Sequence, residues 1–282
     1  MSENSLGACV IGHPIAHSRS PMIHGYWLKQ LGLAGHYNRE DILPEHFAGF
    51  VRALREHGYK GCNVTLPYKE AAFHLLDRAT PRAQQLQVAN TLWFEGDILC
   101  GDNTDVEGFV ANLDERAPHW DKDLKKAVVL GAGGAAASII VGLQERGASE
   151  IYVVNRTFEK AEILAKRFGA NVHPAHWSDL SECLKNSDIL VNTTSLGMKG
   201  QSELEINLDP LPLTALVTDI VYVPLETGLL RQAKQRGNPI ADGLGMLLYQ
   251  AVPGFEHWFG QRPIVTKELR RLIEDNIRGV TA

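Results

Sequence analysis

Between Ala127 and Asn155 the chain reads as a short apolar strand, a glycine turn, a helix and a second apolar strand, in that order. The first run, Ala127 to Leu130, enters Gly131, Ala132, Gly133, Gly134, Ala135 and Ala136, so that Gly131, Gly133 and Ala136 stand at G-x-G-x-x-A spacing. The helix-like stretch Ala135 to Arg146 closes on Gly147, and Ile151 to Asn155 follows. Glycines at that spacing allow a tight turn and a close approach of a pyrophosphate, whose charge meets the free amides and positive end of the helix. A carboxylate normally ends the second strand, where it holds the adenosine ribose and repels a 2′-phosphate. Here Asn155, Arg156 and Thr157 stand instead, and an arginine fork with amide and hydroxyl neighbours attracts a phosphate. The pattern predicts NADP rather than NAD.

With 282 residues, the chain has a full domain's length before this fingerprint, so two domains are expected. A net charge of −5, without a Lys/Arg cluster, argues against a nucleic-acid partner and for small-molecule ligands. Cys9, Cys62, Cys100 and Cys183 are scattered and form no C-x-x-C pair, which reads as buried reduced thiols and a cytoplasmic setting. No apolar run reaches the ~18 residues that cross a bilayer, so no membrane partner is expected.

The first hundred residues alternate strand-like and helix-like pieces: Ala8 to Gly12, Pro21 to Leu31, Tyr37 to Arg39, Phe47 to Glu56 and Cys62 to Thr65. Ala89 to Phe94 and Ile98 to Cys100 flank Glu95-Gly96-Asp97 and predict an antiparallel hairpin. A helix over Val106 to Asp114 leads into the polar stretch Arg116 to Lys126, the expected passage to the second domain. Beyond the fingerprint, a helix over Phe158 to Phe168 and strands over Ile189 to Asn192 and Leu216 to Val221 continue a doubly wound sheet. The tail predicts helices over Met246 to Phe259 and Lys267 to Arg278.

Several polar residues fall where chemistry could use them. Asn63 to Glu70 reads as a strand delivering Thr65 to a helix whose first turn holds Pro67 and Lys69. The positive end of a helix disfavours an ammonium, which makes Lys69 a better acid/base candidate than a random lysine, although a solvated surface lysine fits the same position. Asp105 stands before a helix, where N-capping also explains it. Asn90 reads equally as a structural strand-end amide. Ser18 and Ser20 flank Arg19 before Pro21, offering hydroxyls to a carboxylate, with Ser20 alternatively a plain N-cap. His13 and His17 are four apart, but Pro14 disfavours a continuous helix between them, and no metal is expected.

Taken in order, His17 to Pro21, Asn63 to Lys69, Ala89 to Thr91, Asn103 to Asp105, the glycine turn with Asn155 to Thr157, and Gly243 to Gln250 resemble the shikimate dehydrogenase family over nearly the whole chain. The resemblance implies an α/β protein: an N-terminal α/β substrate domain with a mostly parallel sheet (1–105), a Rossmann-like doubly wound NADP domain (106–241), and C-terminal helices (242–282) that pack back on the first domain. It implies an active-site cleft between the domains, and a monomer or homodimer. Ser18 and Ser20 would bind a shikimate carboxylate, with Tyr222 lining that side. Thr65, Lys69, Asn90, Asp105 and Gln250 would hold the ring hydroxyls. Gly131 to Ala135 would meet the pyrophosphate, and Asn155, Arg156, Thr157 and Lys160 the adenosine phosphate. Thr194, Met198, Ile220 and Gly243 would lie along the cofactor towards its nicotinamide.

Gly25 after His24, and Val223 between Tyr222 and Pro224, depart from the family's common asparagines and bear on shikimate against quinate. The activity implied is reversible, NADP-dependent reduction of 3-dehydroshikimate to shikimate, with Lys69 moving the hydroxyl proton and Asp105 orienting the hydroxyl. An NAD-dependent quinate/shikimate dehydrogenase, a silent NADP-binding sensor and a folate-linked dehydrogenase are the competing readings.

Overall fold

The computed structural model describes residues 6–280, which divide into two units: residues 6–104 with 250–276, and 105–249 with 277–280. In chain order the first unit holds β1 (Leu6–Gly12), α1 (Ser20–Gln30), β2 (Gly35–Asp41), α2 (Pro44–Arg52), β3 (Tyr59–Val64), α3 (Lys69–His74), β4 (Arg78–Ala79), α4 (Pro81–Leu86), β5 (Thr91–Glu95) and β6 (Ile98–Asp102). Its sheet runs β2-β1-β3-β5-β6-β4; β1 pairs in parallel with β2 and β3, and β4 with β6, while β5 is antiparallel to both neighbours. The predicted hairpin is thus β5–β6. Helix α2 begins earlier than its apolar run, because Pro44 presets the first turn.

The second unit holds α5 (Asp105–Arg116), β7 (Lys126–Leu130), α6 (Gly134–Glu145), β8 (Glu150–Asn155), α7 (Phe158–Phe168), β9 (Val172–His176), α8 (Leu180–Leu184), β10 (Ile189–Asn192), β11 (Leu216–Asp219), α9 (Gly228–Arg236), β12 (Ile240–Ala241) and α10 (Leu244–Tyr249). Its sheet, β12-β11-β10-β7-β8-β9, is parallel throughout. That is the doubly wound dinucleotide-binding order, with its switch point between β7 and β10. Ala127 to Leu130 are fully buried, as a strand covered on both faces requires. Strand β11 stops at Asp219, two residues short of the expected end, and β9, α8 and α9 carried no clear periodic signal.

The single tail helix predicted from Met246 to Phe259 is two. α10 belongs to the second unit, where Gly245 packs so closely on α5 that a Cβ would sit 2.0 Å from Asn112 Oδ1. Asn112 Nδ2 also donates to Asp242 O at 2.7 Å. The chain therefore changes unit at Tyr249–Gln250 rather than at 242. α11 (Ala251–Phe259) and α12 (Lys267–Arg278) follow, and α11 lies on the first sheet. There Trp258 is 1% exposed and its indole donates to Leu92 O at 2.8 Å. The same cluster buries His24 stacked on Tyr37 at 3.9 Å, and burial pushes the imidazole down to about 3.

Trp258 tests how far α11 holds the first unit together. Trp258→Ala is expected to cost about 3–5 kcal/mol through lost burial. Trp258→Phe, which keeps an aromatic ring and loses the hydrogen bond to Leu92, should cost less, about 0.5–1.5 kcal/mol. Urea denaturation measures both, and an unchanged stability in Trp258→Phe would show that the indole N–H contributes nothing.

Candidate active site

The phosphate turn forms as its glycines require. Gly131 takes φ +100°, and a Cβ there would lie 2.9 Å from both Thr193 Oγ1 and Thr194 Cγ2. Gly133 caps α6 with no side-chain acceptor over the helix amides, and a Cβ at Gly133 or Gly134 would meet nothing within 4 Å. The backbone there is an open cradle at the positive end of a twelve-residue helix, with Ala132 and Ala135 half-exposed beside it. Asn155 ends β8 and its amide donates to Thr157 O at 2.7 Å, which fixes the bend into α7. Arg156 and Lys160 are exposed, Thr157 is the N-cap residue of α7, and none of residues 155–157 is acidic. A cleft of about 650 Å³ runs from Asn155 and Arg156 past Trp177 and Thr194 to Glu203 and Glu205. These residues fit a phosphorylated dinucleotide.

The loops after β10 and β11 carry the other expected cofactor residues. Met198 is 41% exposed and Ile220 half-exposed, so neither is a buried filler. Gly243 owes its identity to close packing: a Cβ would lie 2.5 Å from Ile220 O. Tyr222 is half-buried on the loop after β11.

In the first unit, Arg19 rather than Ser20 is the N-cap residue of α1; Ser20 is the first helical residue, and its N–H donates to Ser18 Oγ at 3.3 Å. Pro67 lies outside α3, in a cis peptide bond with Leu66, because the chain turns between β3 and a helix that starts only at Lys69. Lys69 is half-buried at that start, and its carbonyl accepts from Ala89 N–H at 3.0 Å, fixing α3 against the strand that leads to Asn90. Thr65 is tied through its N–H to Ile11 O at 2.9 Å.

Asn90 is 2% exposed, and its Oδ1 accepts from the Thr104 backbone N–H at 2.8 Å and the Thr91 hydroxyl at 3.1 Å. A backbone N–H only donates, so the amide oxygen must face it and Nδ2 points the other way. The orientation of the Asn90 amide is thereby fixed by the protein. Thr104 also donates to Gln250 O at 2.8 Å, placing Gln250 at the start of α11. Asp105, 8% exposed, is the first residue of α5 rather than the residue before it.

Family models match three stretches: the shikimate dehydrogenase substrate binding domain over residues 10–92, shikimate / quinate 5-dehydrogenase over 115–200, and the shikimate 5′-dehydrogenase C-terminal domain over 243–265. The chain belongs to the shikimate dehydrogenase family. A shikimate dehydrogenase (NADP(+)) of Rhodopseudomonas palustris strain HaA2 is 56% identical over 275 residues, 98% of each chain. One of Nitrobacter hamburgensis is 56% identical over 271 residues, 96% of this chain and 94% of that one. Among solved structures, shikimate 5-dehydrogenase of Thermus thermophilus, in complex with NADP(H) and shikimate, is 35% identical with a TM-score of 0.84, over 98% of this chain and 100% of that one. Quinate dehydrogenase of Corynebacterium glutamicum, in complex with NAD, is 28% identical with a TM-score of 0.88, over 95% and 98%.

Sequence reading missed one group. Asp219, 1% exposed at the end of β11, accepts at Oδ1 from Val221 N–H and Asn192 Nδ2, both at 3.0 Å, and at Oδ2 from the Thr227 hydroxyl at 2.7 Å. The available signal was an aspartate ending an otherwise buried apolar strand. Burial pushes its carboxyl up to about 6, against the pull of those three donors. The unfolded chain releases this proton near pH 4 and the folded one near 6, so stability is lost as pH rises through that window, by on the order of 3 kcal/mol. Asp219→Asn cannot titrate. Its stability relative to wild type should therefore rise by that order between pH 4 and 7 in paired urea titrations; a constant difference would contradict the shift.

Proposed function

We propose that the protein catalyses the reversible, NADP-dependent reduction of 3-dehydroshikimate to shikimate, a step towards aromatic amino acids, and that it works in the cytoplasm as a monomer or homodimer. The relationship to NADP-dependent shikimate dehydrogenases at 56% identity over nearly the full length supports the reaction. The single observation that carries the cofactor choice is β8 ending in Asn155 and Arg156, with no carboxylate to repel a 2′-phosphate.

NADPH, when bound, supplies the hydride. Gly131 to Ala135 receive the pyrophosphate on the open amides of α6, and Asn155, Arg156, Thr157 and Lys160 take the adenosine phosphate. Thr194, Met198, Ile220 and Gly243 follow the cofactor towards the ring. Ser18, Ser20 and Tyr222 hold the substrate carboxylate, while Thr65, Asn90 and Gln250 hold its hydroxyls. Lys69 gives its proton to the carbonyl oxygen as that oxygen becomes a hydroxyl, and takes it back in reverse. Asp105 accepts a hydrogen bond from the same hydroxyl and so fixes its direction.

Two variants test this assignment. Lys69→Ala should lower kcat by about 10²–10⁴-fold with NADPH affinity, read by its fluorescence, unchanged; near wild-type turnover would remove Lys69 from proton transfer. Arg156→Ala should cut kcat/KM about 10–100-fold with NADPH and far less with NADH. Equal losses with both cofactors would overturn the phosphate contact.

A further inference from the structure

We propose that Asp219 is a positioning residue for the cofactor: acting through Asn192 and Thr227, it sets the two loops that present Thr194 and Ile220. The inference rests on the reading that those two residues face the cofactor. Asp219 and Asn192 are buried, and both polar side-chain atoms of each are engaged within the protein, so they act on the loops.

The two side chains form a knot at adjacent strand ends, since Asn192 and Asp219 are register partners of β10 and β11. Asn192 Oδ1 accepts from the backbone N–H and hydroxyl of Thr194, at 3.0 and 2.7 Å, while its Nδ2 donates to Asp219 and, at 3.3 Å, to Leu196 O. One amide thus shapes the whole turn after β10. Asp219 does the same on its own side, taking Val221 N–H directly, while Ile220 N–H bonds Asn192 O at 3.1 Å. Its second oxygen anchors the arrangement to Thr227, the N-cap of α9, whose hydroxyl also receives Leu230 N–H at 3.4 Å.

Why a carboxylate stands here follows from the inventory. Three donors converge on one side chain from Val221, Asn192 and Thr227, and only an acceptor-only group takes all three without presenting a donor of its own. A buried carboxylate is costly, and its retention fits a requirement for fixed loop geometry. Packing reinforces it: a Cβ at Gly243 would lie 2.7 Å from Asp219 O, so the backbone at the knot has no room to shift.

The test uses the full-length enzyme with steady-state kinetics for NADPH and for 3-dehydroshikimate. Asp219→Leu should raise KM for NADPH about 10-fold or more and lower kcat, with a smaller change in KM for 3-dehydroshikimate. Thr227→Val, a milder change that removes one donor, should raise KM for NADPH about threefold, and Thr227→Ser should restore it. Leu184→Ala, a core truncation in α8 and outside both loops, controls for lost stability and should leave KM for NADPH unchanged. If Asp219→Leu does not fold, the Thr227 pair decides alone. Unchanged KM in Thr227→Val, or an equal rise in Leu184→Ala, overturns the proposal. Thr194→Val and Ile220→Ala distinguish the underlying reading: should they leave NADPH affinity intact, the loops do not face the cofactor. If they weaken it while Asp219→Leu and Thr227→Val do not, positioning by Asp219 is what fails.

Discussion

A parallel strand that ends inside a protein leaves its last polar groups, and those of the loop that follows, without ladder partners. The second unit gathers the carboxyl ends of six such strands along one edge, because all six run the same way. Everything expected to touch the cofactor hangs from that edge. Its polar groups are handled in two manners: at β7 the backbone turns on Gly131 into a helix and leaves its amides open, whereas at β10 and β11 the side chains of Asn192 and Asp219 bond each other and the loops that follow. The first arrangement keeps donors for an anion, and the second makes a rigid wall beside it.

The first unit solves a related problem with neutral groups. Tyr37, Asn63, Thr91, Asn90 and Thr104 pass hydrogen bonds from one to the next across its sheet, from Tyr37 to Asn63 at 2.6 Å and onward to Asn90. Such a chain is costly to bury unless every member is paired, and once paired it allows each amide one orientation. Asn90 and Gln250, distant in sequence, are placed by the same threonine.

The strand-helix alternation of the second unit and the phosphate turn were legible because they rest on local signals: a buried apolar run such as Ala127 to Leu130, and a glycine at 131, where φ is positive and a Cβ has no room. The elements that sequence reading missed lack such signals. Strand β9, Val172 to His176, carries two histidines and a proline, and α9 is polar along most of its length. The break at Gln250 was hidden because one apolar pattern continues through α10 and α11, although Gly245 packs on α5 and Trp258 on the first sheet. Lys69, expected in the first turn of a helix, and Asp105, expected just before one, stand out only once the family resemblance joins their positions. Asp219 was passed over because a lone aspartate gives no sign that three donors will converge on it.

The orientation imposed on Asn90 has a thermodynamic corollary. Its oxygen is engaged by Thr104 and Thr91, so towards a bound molecule the side chain offers only N–H. A ketone and an alcohol both present lone pairs to such a group. On the proposed assignment, where Asn90 holds a substrate hydroxyl, such a donor adds affinity for the ketone and alcohol forms of the substrate alike. Discrimination between the two bound forms is left to groups whose proton count changes during the reaction, while net direction follows the concentrations of substrates and products.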